Sequence, residues 1–185
     1  MKKLNLGCAT DYLEGFVNID MNKNIKADVY CNFEESLPFE DNTFDYVYAS
    51  HILEHISYNN FFKFIEEIWR VCKNGAKIDI LCPHSTSIMA DAPYHYQRFN
   101  SITFDTFTLD GNYHGERYSS ARFKINKIEL HFVLKYANYR NFNWIKIFGF
   151  LNILFNLSKF WQKFMERCWI FGFDEVEYKL EVVKN

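Results

Sequence analysis

A short apolar run, Leu4-Asn5-Leu6, opens into Gly7-Cys8-Ala9-Thr10-Asp11, and a second run over residues 16–19 ends in Asp20. A strand leading into a tight turn, with a carboxylate at the end of the next strand, is a layout that seats a nucleoside. The turn backbone approaches the ligand closely and the carboxylate accepts the ribose hydroxyls. One glycine after a strand also makes an ordinary turn, so these residues gain weight only from their neighbours. A second constellation, His51-Ile52-Leu53-Glu54-His55, matches H-x-x-E-H, in which two histidines one helical turn apart hold zinc and the carboxylate acts as base. Five-residue patterns of this kind also arise by chance.

The chain that must position these residues alternates short apolar runs with helical or turn segments over its first 85 residues, the pattern of an α/β sheet. Strands are predicted over residues 4–8, 16–19, 27–31, 44–49 and 77–82. A helix is predicted over 59–72, where Phe62, Ile65, Ile68, Trp69 and Cys72 recur at three and four, with Asn74-Gly75 as its stop. Residues 21–26 are too few for a crossover helix. Residues 83–122 read as a loop-rich insertion with a short helix over 101–108. Two further strands are predicted over 125–136 and 174–183.

Between those strands, residues 144–169 read as one long helix. Trp144, Ile147, Phe148, Leu151, Leu154, Phe155, Trp161, Met165 and Trp169 form its broad apolar face, opposite a polar stripe of Lys146, Gly149, Asn152, Asn156, Lys159, Lys163 and Arg167. Such a face suits packing on the core, a homodimer contact or a membrane surface, whereas cations interrupt every run long enough to span a bilayer.

Composition narrows the class. With 49% hydrophobic and 24% charged residues, the 185-residue chain can build one packed core, with no room for a second full domain. A formal charge of −2 offers no global attraction for phosphate backbones, so nucleic acid is not expected as a partner. Cys8, Cys31, Cys72, Cys82 and Cys168 are odd in number and form no C-x-x-C pair, which argues for a reducing cytoplasm and against a disulfide framework or thiolate zinc site. The opening residues break into Asn5 and Gly7 before an apolar region forms, so no secretory signal is expected.

Residues 33–47, Phe-Glu-Glu-Ser-Leu-Pro-Phe-Glu-Asp-Asn-Thr-Phe-Asp-Tyr-Val, resemble the stretch leading into the fourth strand of class I S-adenosylmethionine-dependent methyltransferases of the type 11-like kind. Residues 4–8 are similar to that family's first glycine motif, and residues 50–55 and 67–75 complete the resemblance across 4–84. The resemblance implies an α/β fold with a Rossmann-like seven-stranded sheet, mostly parallel with an antiparallel last strand, in a minimal version lacking the N-terminal helix. It implies S-adenosylmethionine as cofactor and S-adenosylhomocysteine as product. Gly7, Cys8 and Ala9 would contact the methionine part, Asp20 the ribose hydroxyls with Met21 beside it, Asn32 and Phe33 would flank the adenine, and Ser50 and His51 would lie beneath the sulfonium. In this setting Glu54 and His55 are helix residues that pack or cap, only His51 faces the cofactor, and no metal is expected.

Two residues depart from the family pattern: Ala9 stands where a second glycine is usual, and Asn32 where an aspartate is common. A methyl group at Ala9 would crowd the cofactor or bar a left-handed backbone, while Asn32 keeps a carbonyl acceptor. The competing expectation is therefore a non-catalytic partner protein that retains the fold.

Pro83-His84 and the run Asp91-Ala92-Pro93-Tyr94-His95-Tyr96-Gln97-Arg98-Phe99 resemble a pattern in methyltransferases associated with bacterial surface-glycan synthesis, as does the ending over residues 173–184. This implies O-methylation of a sugar, glycan or other small-molecule acceptor in polysaccharide biosynthesis. Transfer to a hydroxyl needs an aligned nucleophile and removal of its proton. His84 and His95 are the candidates to take that proton, with Asp91 orienting the imidazole. On this reading residues 1–84 are the cofactor-binding half, 85–122 a substrate cover, and 123–185 the C-terminal strands and helix of one domain. It would work in the cytoplasm, or at a membrane periphery through residues 144–169.

Overall fold

The computed structural model describes residues 1–111, 117–132, 144–168 and 172–184. One seven-stranded sheet runs in the order β3-β2-β1-β4-β5-β7-β6. The strands are β1 Lys3–Leu6, β2 Val17–Asp20, β3 Val29–Tyr30, β4 Phe44–Ser50, β5 Cys72–Pro83, β6 Phe123–His131 and β7 Glu175–Val182. Strands β1 to β5 are mutually parallel, and β7 lies antiparallel between β5 and β6. The chain order reverses direction between β1 and β4, which opens a crevice at the carboxyl ends of those strands. β1 is buried on both faces at Leu4, Asn5 and Leu6, as a central parallel strand must be.

Helix α1, Phe61–Val71, covers the sheet with Phe61, Phe64, Ile65, Ile68 and Val71, a spacing of three and four that puts all five on one buried stripe. Full burial of such side chains stabilises the fold by about 1.5–3 kcal/mol each. The helix ends before the predicted stop. Cys72 is fully buried and pairs with Phe44, so it is the first residue of β5 and not the last of a helix. Asn74 and Gly75 lie in a bulge between the Phe44–Cys72 and Tyr46–Lys77 pairs, with Gly75 at φ +78°. Arg70, near the end of α1, explains the neighbouring motif: its guanidinium donates to both Glu67 oxygens at 2.8 Å and to the carbonyls of Leu37 and Phe39 at 3.0 and 2.8 Å. The Leu-Pro-Phe segment is thereby clamped onto the helix.

No helix joins β1 to β2 or β2 to β3, and a buried polar network does that work. Asn5 Nδ2 donates to Asn18 Oδ1 at 2.9 Å, Asn18 binds the Leu13 backbone through both side-chain atoms, and Asp28 accepts from Asn18 N and Tyr12 Oη. Both asparagines are almost fully buried, so each polar atom needs its partner.

The C-terminal segment differs from the single helix predicted. It forms α2, Trp144–Phe155, and α3, Lys159–Cys168, broken at residues 156–158; Trp169 lies outside the described residues. The cause is the free edge of β6. Asn156 accepts from Leu130 N at 2.7 Å and donates to Leu130 O at 2.8 Å, Asn152 accepts from Phe132 N at 2.9 Å, and Gln162 donates to Ile128 O at 2.6 Å. These amides satisfy strand-edge groups that would otherwise be unpaired. Part of the polar stripe therefore faces inward. Phe155 and Met165 are buried, while Phe150, Ile153, Leu154, Leu157, Phe160 and Phe164 are exposed. Among the described residues no helix is long and apolar enough to cross a membrane.

Candidate functional site

The turn after β1 combines close approach with backbone strain. Gly7 sits at φ +65°, and a Cβ added there would lie 2.9 Å from Ile52 Cγ1 and Cδ1. Ala9 occupies the left-handed region at φ +42°, a conformation costing about 1–2 kcal/mol for a residue with a Cβ. The backbone geometry thus survives the loss of the second glycine. Asp20, at the end of β2, holds this turn: Oδ2 accepts from Ala9 N at 2.9 Å and Oδ1 from Asn22 N at 2.8 Å. A carboxylate has roughly four acceptor positions, so lone pairs remain for two ribose hydroxyls.

The other residues predicted for the cofactor are placed as follows. Cys8 is buried, its thiol 3.7 Å from Lys26 O, leaving only its backbone at the turn. Met21 is exposed and lines an open groove of about 520 Å³ with Tyr30, Cys31, Asn32, Ser36 and Pro38, at the carboxyl ends of β2 and β3. Asn32 accepts from Glu34 N at 3.1 Å and donates to Glu35 Oε1 at 3.1 Å, so its carbonyl already carries one bond. Phe33 does not flank this groove with its ring: the side chain is buried against Phe64, centroids 5.8 Å apart, because it fills the space between sheet and α1. Ser50 closes β4, half-buried.

His51 follows with φ +52°, which turns its ring between two buried carboxylates. Nε2 lies 2.9 Å from Glu175 Oε1, and Nδ1 lies 3.3 Å from Glu54 Oε1. Burial disfavours the imidazolium, but Glu175 and Glu54 outweigh it and lift the pKa to about 9. His51 is therefore a fixed cation at neutral pH rather than a base.

The segment Leu53–His55 is a single 3-10 turn, too short to bring His51 and His55 onto one helical face, so the H-x-x-E-H zinc geometry does not form. Glu54 instead faces the insertion. Its backbone carbonyl accepts from Tyr96 N at 2.7 Å and Gln97 N at 3.3 Å, and Gln97 Nε2 donates to Ile56 O at 3.1 Å. Those bonds carry His95 to His55, ring centroids 4.7 Å apart. Glu54, His55 and His95 each offer an atom within 4.8 Å of the other two. Burial lowers the His95 pKa, with Glu54 opposing, so this imidazole is neutral at physiological pH.

His84 and Asp91 do not join His95. His84 is buried with both ring nitrogens engaged, Nδ1 2.8 Å from Thr86 Oγ1 and Nε2 3.0 Å from Glu166 Oε1. It ties α3 to the core. Glu166 also accepts from Ser101 N at 2.7 Å, and despite burial these partners hold its pKa below the usual carboxylate value. Asp91 is exposed and paired with Arg98 at 2.6 Å, so it orients neither histidine. The sequence reading missed Glu175, which contacts His51 across 124 positions because β7 pairs antiparallel with β5 and sets it opposite Pro83.

Residues 5–80 match the methyltransferase domain family. The protein MJ0638 of Methanocaldococcus jannaschii is 30% identical over 104 residues, 55% of this chain and 45% of that protein, so the chain spans less than half of that relative's length. A SAM-dependent methyltransferase from Archaeoglobus fulgidus has the same fold with a TM-score of 0.57 at 18% identity, covering 97% of this chain and 85% of that one. The [4+2]-cyclase SpnF matches with a TM-score of 0.59 at 15% identity, covering 100% and 75%. At such identities the structural likeness is one of fold, and fold alone does not set the reaction. The matched segment and the fold are those of methyltransferase domains, and the Archaeoglobus fulgidus protein of this fold depends on S-adenosylmethionine. The residues present fit that cofactor: a turn with no room for a Cβ at Gly7, a carboxylate above it at Asp20, and a groove beyond Met21.

Proposed function

We propose that the protein methylates a hydroxyl group of a sugar or glycan acceptor. The observation that carries this reading is the aromatic surround of the Glu54–His55–His95 cluster. Tyr94 stacks on His55 with centroids 5.5 Å apart, Tyr58 and Tyr96 meet edge to face at 6.4 Å, and all three tyrosines are exposed. Flat aromatic faces beside imidazole rings suit the C–H faces and hydroxyls of a sugar ring. Glu54 reaches this cluster on one side and His51 on the other, which links the acceptor end to the cofactor end.

Bound S-adenosylmethionine would supply an electrophilic methyl on sulfur, so that an S–CH3 bond would break as an O–CH3 bond formed, with S-adenosylhomocysteine as leaving group and the acceptor's hydroxyl proton removed. Gly7 and Asp20 would hold the cofactor, Tyr58, Tyr94 and Tyr96 the acceptor, and the cluster would handle the proton. Incubation with methyl-labelled cofactor and a panel of nucleotide sugars and oligosaccharides is expected to give label transfer that depends on a free hydroxyl. Transfer to amine or thiol acceptors in place of sugars would overturn the assignment.

The acceptor reading extends to a lipid-carried substrate. Phe150, Ile153, Leu157, Phe160 and Phe164 are exposed on α2, α3 and the break between them, beside exposed Lys159 and Arg167, while Glu166, the one acid of α3, is turned inward to His84. An apolar face with a cationic margin matches an anionic membrane surface. Co-sedimentation with phosphatidylglycerol vesicles is expected, and should be lost in the double variant Phe160→Asp/Phe164→Asp. A chain that stays in the supernatant removes the idea.

A further inference from the structure

Three donor groups meet where the 3-10 turn after β4 touches the insertion: the Glu54 carboxylate and the imidazoles of His55 and His95, with ligand atoms within 4.8 Å of one another. Glu54 is 1% exposed, yet neither of its oxygens has a hydrogen-bond partner, and His95 Nδ1 is likewise buried without one. The His51 contact at 3.3 Å supplies charge to one oxygen without hydrogen-bond alignment. Buried polar atoms almost always have partners, because leaving one without costs its full desolvation. Both Glu54 oxygens and His95 Nδ1 lack a hydrogen-bond partner, and a His55 ring nitrogen lies within 4.8 Å of them, a donor set that suits a bound cation better than another donor.

The supporting contacts have the form that metal sites use. A carbonyl oxygen can only accept, so His55 Nδ1, 3.3 Å from Tyr94 O, carries the proton and leaves Nε2 free as a ligand. The backbone bonds from Tyr96 and Gln97 to Glu54 O fix the two segments that supply the ligands. Four-coordinate zinc needs ligand atoms about 3.4 Å apart, from bond lengths near 2.0–2.1 Å, so the three side chains need only a modest contraction. The donor set, two nitrogens and one oxygen, suits zinc and its borderline neighbours better than magnesium or calcium, which prefer oxygen throughout.

We infer that Glu54, His55 and His95 form a binding site for one zinc-like divalent cation, with a fourth position left for an acceptor oxygen. Three protein ligands and one open position are the arrangement of reactive rather than purely structural zinc sites. An acceptor hydroxyl bound there would ionise nearer neutral pH and lose its proton to water before the methyl group arrives. This role toward the acceptor rests on the methyl-transfer reading; the cation site does not.

The test is a titration of the untagged, chelator-treated full chain with Co2+, read by visible ligand-field absorption and followed by competition with Zn2+. One equivalent of Co2+ displaced by Zn2+ is expected. His95→Ala and the near-isosteric Glu54→Gln, each with an unchanged circular dichroism spectrum, should weaken binding at least tenfold. No ligand-field band in the native chain, or equal affinity in both variants, would overturn the site. A parallel S-adenosylhomocysteine titration separates the two proposals, because it reads the cofactor end alone: bound S-adenosylhomocysteine without bound cobalt sinks the cation site and leaves methyl transfer standing.

Discussion

Asp20→Ala is expected to weaken S-adenosylhomocysteine binding by at least tenfold, about 1.4 kcal/mol or more. Asp20 ends β2 beside the crevice where the strand order reverses, and its carboxylate accepts from Ala9 N and Asn22 N. The same group has acceptor capacity left for a ribose diol, and hydrogen bonds to a charged partner contribute about 1.5–3 kcal/mol each. The substitution also frees the strained turn at Ala9, which enlarges the loss. Asp20→Asn separates these contributions, since an amide oxygen can still accept from Ala9 N but carries no charge. Calorimetry on both variants should give intermediate weakening for asparagine and the larger loss for alanine; affinity unchanged in both would remove Asp20 from the site.

Gly7→Ala should destabilise the fold by about 2–5 kcal/mol, the sum of left-handed strain of about 1–2 kcal/mol and overpacking of about 1–3 kcal/mol. An added methyl meets Ile52 Cγ1 and Cδ1 at 2.9 Å and Cβ at 3.1 Å. Rotating the end of the Ile52 side chain does not relieve the Cβ contact, so the backbone next to His51 must shift. For a chain of this size the melting temperature should fall by roughly 4–20 °C. Gly15 is the internal control. It also has positive φ, but nothing lies within 4 Å of an added Cβ, so Gly15→Ala should show the strain alone. Equal losses at the two positions would mean that the Ile52 contact carries no weight.

Much of the parallel half was legible because its strands and α1 are fixed by burial, and burial leaves a periodic mark. Leu4 and Leu6 are both hidden, and so are Phe64, Ile65 and Ile68, each at the spacing its element demands. The motif around Arg70 was visible as a pattern, and its clamp on residues 37–41 is the reason it exists. What stayed hidden depends on contacts without a local signature. Asn156 reads as part of the solvent-facing stripe, yet with Gln162 it caps the edge of β6 and breaks the predicted helix. His84 had the type and place of a base, but Glu166 reaches it from 82 positions away and makes it a tether. His95 meets Glu54 only because two backbone N–H groups of the insertion bond to the Glu54 carbonyl, an arrangement that no side-chain pattern announces.

Phe33 differs from what the resemblance implies for the same kind of reason: its size and hydrophobicity place the ring under α1 against Phe64, while the neighbouring Asn32 lines the groove. Ala9 shows the converse, a residue that breaks a local rule and is held in place by the Asp20 carboxylate.

The central claim is that the crevice between Gly7, Asp20 and the groove at Asn32 binds an S-adenosyl group. A calorimetric titration of S-adenosylhomocysteine into the native chain tests this most directly. Saturable binding of one equivalent with a micromolar dissociation constant is the predicted result. No heat of binding at millimolar ligand, from a chain whose folding is verified in the same buffer, would contradict it.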